Sequence, residues 1–162
     1  MKKITEKEAL LRLSSLCSQA EHCAYEMTEK MARWELSDEE QARVMEYLVS
    51  NKFVDDERFA RVFVLDKIRY NKWGRRKVAQ ALWMKRIDAD ISRRVLDAVS
   101  PDEYLAVLRP LLESKRRSTR AASSYELNMK LMRFALGRGF DAGEVRQCLD
   151  GADEAAAGDE WP

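Results

Sequence analysis

The sequence predicts an all-α protein, an extended body of tandem helical repeats, and three observations carry that expectation. A helical cadence recurs: Met27, Met31, Leu36, Ser37, Val44 and Met45 are matched 51 positions on by Val78, Leu82, Ile87, Asp88, Val95 and Leu96. A further 53 positions on come Leu131, Ala135, Phe140, Asp141, Cys148 and Leu149. Constant offsets over six positions mark modules that each bury one face against a neighbour, which gives an extended stack instead of a globule with a central pocket. Secondly, three prolines and six glycines among 162 residues, 35% of them charged, suit helices with short connections. Thirdly, apolar residues fall at helical spacing, first as Ala9, Leu10, Leu13, Leu16 and Cys17, then as Ala24, Met27, Met31 and Trp34.

The elements follow in order. Two helices precede Ser37, which with Glu40 fits a capping box, as Asp141 does with Glu144; Asp88 can cap without a matching Glu. Asn51 and Lys52 interrupt the pattern, and Asp55, Asp56 and Glu57 then put acid on the N-terminus of a helix carrying Phe59, Val62 and Phe63. Asn71 to Gly74 closes that helix. Pro101 suits a helix start after Ser100, with Leu105, Leu108 and Leu112 continuing the core stripe. Pro110 sits inside that helix and predicts a kink or an early stop. The expected helical domain is 1–150, with an N-terminal helix over 5–18 and repeats over about 22–70, 74–117 and 123–150. Residues 151–162 form an acidic tail expected to be disordered.

Composition narrows the function classes. No apolar run approaches the roughly 20 residues needed to cross a bilayer, so a cytoplasmic protein without membrane contact is expected. Three cysteines at irregular positions agree with a reducing compartment. Net charge is +1, but five acids from Asp150 onward leave residues 1–149 at +6. That tail reads as a solubilising end, or as an internal competitor for a basic surface.

The chemistry-bearing residues point to binding. Asp55, Asp56 and Glu57 are explained by capping and the helix dipole. Cys17, His22 and Cys23 lack a fourth ligand and read as a core segment with buried thiols, so no metal is expected. His22 is the single histidine and stands in no catalytic pattern, and Gly137, Gly139 and Gly143 match no phosphate-binding fingerprint. No cofactor and no enzymatic activity are expected. From Lys67 to Arg86, by contrast, there are eight basic residues and no acid: Lys67, Arg69, Lys72, Arg75, Arg76, Lys77, Lys85 and Arg86, interleaved with Tyr70, Trp73 and Trp83. Cations seek phosphates and exposed aromatics stack on unpaired bases, so this stretch suits a nucleoprotein surface, although cations also solvate helix faces and a Trp also fills a joint. Arg93, Arg94, Lys115, Arg116, Arg117 and Arg120 form a second basic group, from which Arg116 and Arg117 join the candidate set.

The run Val54-Asp55-Asp56-Glu57-Arg58-Phe59-Ala60-Arg61-Val62-Phe63-Val64, then Lys72-Trp73-Gly74-Arg75-Arg76-Lys77-Val78, then Lys85-Arg86-Ile87-Asp88, resembles the RecX family of recombinase regulators. Arg138-Gly139-Phe140-Asp141 fits the same family repeat, whereas Arg75 stands where Pro is common and Trp34-Glu35-Leu36-Ser37 replaces a Gly-Phe-Asp type turn. The resemblance implies curved, elongated three-helix repeats that lie in the groove of a RecA filament on single-stranded DNA and impede filament growth, ATP hydrolysis and strand exchange; separately, a monomer is expected. A helix-turn-helix protein that reads duplex DNA, or a helical scaffold that binds only protein, is the alternative.

Overall fold

The computed structural model describes residues 4–150, and all regular structure among them is helical. The helices are α1 (Glu6–Gln19), α2 (Ala24–Arg33), α3 (Asp38–Ser50), α4 (Asp56–Arg69), α5 (Arg75–Met84), α6 (Ala89–Asp97), α7 (Pro101–Ser118), α8 (Ser124–Gly137) and α9 (Ala142–Asp150). The acidic tail, 151–162, lies outside the described residues.

The sequence cadence is a burial cadence. Met27, Met31, Leu36 and Val44, then Val78, Leu82, Ile87, Val95 and Leu96, then Leu131, Ala135, Phe140 and Leu149 are all buried, while Met45 and Cys148 are half-buried. A large aliphatic side chain fully removed from water contributes about 1.5–3 kcal/mol, more than any single cap, so these positions dominate the stability of each module.

The same turn closes the three cadenced helices. The amide of Leu36 donates to the carbonyl of Met31, that of Ile87 to Leu82 and that of Phe140 to Ala135, each at 3.1 Å. The preceding residues, Glu35, Arg86 and Gly139, take φ of 61°, 58° and 97°. This is a Schellman turn with its left-handed residue before a buried apolar one. The first two copies lack glycine yet close in the same way, because burying Leu36 and Ile87 outweighs the roughly 1–2 kcal/mol that a left-handed non-glycine residue costs.

Helix starts match their caps. Ser37 and Glu40 exchange bonds at 2.9 and 3.1 Å, Asp141 and Glu144 at 2.9 and 2.8 Å, and Asp88 accepts from the Asp90 amide at 3.0 Å. Among the three acids before Phe59, Asp55 caps α4 by accepting from the Glu57 and Arg58 amides. Asp56 instead accepts from the Ala24 amide at 2.9 Å, capping α2, and Glu57 pairs with Arg61 and Arg94. At Pro110 the expected early stop does not occur: α7 runs on to Ser118, held by buried Tyr104 and Leu108 before that point and Leu112 after it. Docking of that apolar face outweighs one missing backbone bond.

The helices divide between two compact units. Among the described residues, one comprises those up to Phe63 together with Leu82–Val95; the other comprises Val64–Ala81 with those from Leu96 onward. In the first, α1 and α2 pack on α3 around Ala9, Leu13, Met27, Met31, Leu36, Val44, Leu48 and Val54. In the second, α7, α8 and α9 pack on one another, burying Tyr104, Leu108, Leu112, Leu131, Ala135, Phe140 and Leu149.

Candidate nucleic-acid interface

The candidate site of the second unit is built on two turns, one joining α4 to α5 and one joining α8 to α9. Lys67 and Arg69 end α4, where cations complement the helix dipole. Lys72 adopts φ 59°, the Trp73 amide returns to the Lys67 carbonyl at 3.1 Å, and α5 then begins Arg75-Arg76-Lys77. No acid stands in that first turn. Cations at a helix N-terminus oppose the dipole by about 0.3–1 kcal/mol each, so this arrangement is not chosen for helix stability.

The second turn locks onto the first through backbone. The Gly74 amide donates to the Arg138 carbonyl at 2.8 Å and the Arg76 amide to the Gly139 carbonyl at 3.1 Å. Arg138 reaches back to the Asn71 carbonyl at 2.9 Å, and the Arg76 guanidinium donates to the Leu136 carbonyl at 2.6 Å at the end of α8. Two aromatic rings carry cations: Lys67 and Lys77 lie 5.3 and 4.7 Å from the Trp73 centroid, Lys115 and Arg138 4.8 and 5.2 Å from that of Phe134. Cation–π contact holds charge in place without neutralising it. Arg75 pairs with the Asp97 carboxylate at 2.6 Å, and both partners are largely exposed.

Six of the expected site residues, Lys67, Arg69, Lys72, Arg75, Arg76 and Lys77, therefore gather at one double turn. Lys85 and Arg86 fall in the first unit and serve its packing. Lys85 pairs with Glu26 at 3.0 Å, and Arg86 lies 5.1 Å from the Tyr25 ring centroid. Burial draws the Glu26 carboxyl upward, but hydrogen bonds from Lys85 and the Cys23 amide outweigh it and hold its pKa below the ordinary value. Beside this pair the buried Cys23 thiol is pushed up to about 11 by burial. Arg116 and Arg117 face Glu113 at 3.9 Å each in the last turn of α7, where they also complement the dipole. The structure adds Arg138 and Lys115. Arg138 was flagged in sequence by the Arg138-Gly139-Phe140-Asp141 repeat, but its distance from Asn71 along the chain concealed the contact.

Tandem three-helix modules with a cationic turn junction, and no helix among the described residues long and apolar enough to cross a membrane, define a class of all-helical tandem-module proteins. Residues 55–96 match the model of the second three-helix domain of RecX and residues 102–149 that of the third, together more than half of the chain. The chain belongs to the RecX family, a family of regulatory proteins. It is similar to the regulatory protein RecX of Chromobacterium violaceum, 29% identical over 91% of this chain and 93% of that one. It is also similar to that of Clostridium perfringens strain 13, 28% identical over 72% of this chain but spanning only 55% of the longer relative. Its fold matches the crystal structure of RecX from Lactobacillus salivarius with a TM-score of 0.80 at 16% identity, covering 92% of this chain and 97% of that one. The matched domains begin at α4 and α7, one helix ahead of the 74–117 and 123–150 repeats drawn from the cadence; both divisions use the same helices in a different phase.

Proposed function

We propose that this protein regulates a recombinase by binding the RecA–single-stranded DNA filament and inhibiting its growth, its ATP hydrolysis and strand exchange. The observation that carries the reading is the double turn of the second unit. It concentrates Lys67, Arg69, Lys72, Arg76, Lys77 and Arg138 with exposed or ring-held charge, at an electrostatic cost to α5 that a phosphate or acidic filament surface would offset. Family membership supplies the regulatory role. A molecule docked along successive filament protomers would hinder the subunit movements and additions on which the active filament depends.

The test is DNA-dependent ATP hydrolysis by the cognate RecA on single-stranded DNA, with this protein added at a small fraction of the recombinase. Progressive loss of hydrolysis at substoichiometric ratios supports end-capping or disruption, and loss only near stoichiometry supports groove coating. Unchanged hydrolysis together with no co-sedimentation with filaments would remove the reading. Preference for a defined duplex over single strands would replace it with sequence-reading DNA binding.

A further inference from the structure

The aromatic side chains of the candidate interface divide into two kinds. Trp73 and Phe134 are half-buried and already hold cations against their rings. Tyr70, between Arg69 and Asn71 on the same turn, is 79% exposed. Its backbone is nonetheless fixed: its amide donates to the Asp66 carbonyl at 2.8 Å, Lys72 Nζ donates to the Arg69 carbonyl, and Arg138 donates to the Asn71 carbonyl. A ring with two side-chain torsions on a fixed turn loses little conformational entropy when something covers it.

We infer that Tyr70 is a stacking platform for an unpaired nucleic-acid base, with the flanking phosphates taken by Arg69, Lys72 and the lysines held on Trp73. The inference deepens the proposed function and rests on its nucleic-acid part. Duplex bases bury their faces in the stack and leave nothing for a protruding ring to cover, so the ligand is single-stranded. The cations beside it in the chain supply the chemistry of the partner: Arg69 precedes Tyr70 and Lys72 follows two residues on, so an aromatic exposed there stands among phosphate-seeking groups and not on an apolar surface. Trp73 has a different task. It acts through Lys67 and Lys77 by setting where their charges stand, and is a positioning residue.

The experiment measures binding of the full chain to a fluorescent oligothymidylate and to an abasic strand of equal length and charge. Wild type should favour the base-bearing strand. Tyr70→Ala should erase that preference by weakening the oligothymidylate about 5- to 150-fold, leaving abasic binding and the salt slope unchanged, and Tyr70→Trp should restore it. Trp73→Leu should weaken both strands equally and flatten the salt slope. Undiminished oligothymidylate binding by Tyr70→Ala, or a wild type that does not distinguish the two strands, overturns the inference. A wild type that binds neither strand yet slows RecA hydrolysis also overturns it while leaving the filament reading intact. One that binds neither strand and leaves hydrolysis unchanged removes both.

Discussion

Gly74 and Gly139 cross so closely that neither position admits a side chain. A Cβ on Gly74 would meet the Phe140 amide nitrogen at 2.4 Å and the Gly139 carbonyl carbon at 2.5 Å; one on Gly139, at φ 97°, would meet the Lys77 Cβ at 2.5 Å. Their backbones are joined by the Gly74-to-Arg138 and Arg76-to-Gly139 hydrogen bonds, which bring Arg138 to the cations of the α4–α5 turn. Gly74→Ala or Gly139→Ala should cost about 1–3 kcal/mol, since backbone must move to make room. Gly137→Ala has open space around its Cβ and should be neutral or stabilising by up to about 1 kcal/mol. Thermal unfolding of the three variants checks this; equal melting temperatures would show that the crossing is not tight.

Glu35 holds a left-handed φ of 61° where the equivalent third-module residue is Gly139. Glu35→Gly removes the strain but adds freedom to the unfolded chain, so a net gain of about 0.5–1 kcal/mol is expected. Denaturant unfolding measures it. A loss of stability would mean that Glu35 makes a contribution the turn geometry does not reveal.

Glu26 and Lys85 predict a pH dependence for the first unit. The Glu26 carboxyl titrates below its ordinary 4.5, so its contribution is present above that value and is lost as pH falls through the folded pKa. Lys85, hydrogen-bonded to Glu26, titrates above its ordinary 10.5, and its contribution disappears as pH rises through the folded value. Both groups are partly exposed, so the pair is worth about 1 kcal/mol at neutral pH. Glu26→Gln should lose about that amount at neutral pH and flatten the acid side of the stability profile. Urea unfolding across the carboxylate range would show an unchanged slope if the pair is inert.

Charge contacts at the double turn predict salt dependence. If Arg69 and Lys72 each neutralise one phosphate, replacing either with Ala should lower the slope of log affinity against log salt by about 0.7 on single strands, with helicity retained. Arg75→Glu with Arg76→Glu should abolish filament regulation. That double variant also loses the Asp97 pair and the bond to the Leu136 carbonyl, so circular dichroism must accompany the hydrolysis assay.

Much of the fold was legible in the sequence because helix signals are local. The apolar cadence residues are buried or half-buried where their period requires, and Ser37, Asp88, Ser100 and Asp141 cap the helices they precede. Each rests on spacing within one or two turns, which any helical chain enforces. Pro110 does not end its helix, because its local cost is real but smaller than the burial of Tyr104, Leu108 and Leu112.

The candidate site was legible only as composition. By itself the sequence determined that cations and aromatics cluster between Lys67 and Arg86, since charge density along a chain needs no fold to be read. Tertiary structure alone decided how they divide. It set Lys85 and Arg86 against Glu26 and Tyr25, placed Lys67 and Lys77 on Trp73, left Tyr70 in water, and carried Arg138 across 67 residues to Asn71. The physical reason is that a side chain's availability depends on which backbone crosses beside it. Here that is the glycine-to-glycine approach of two turns far apart in the chain.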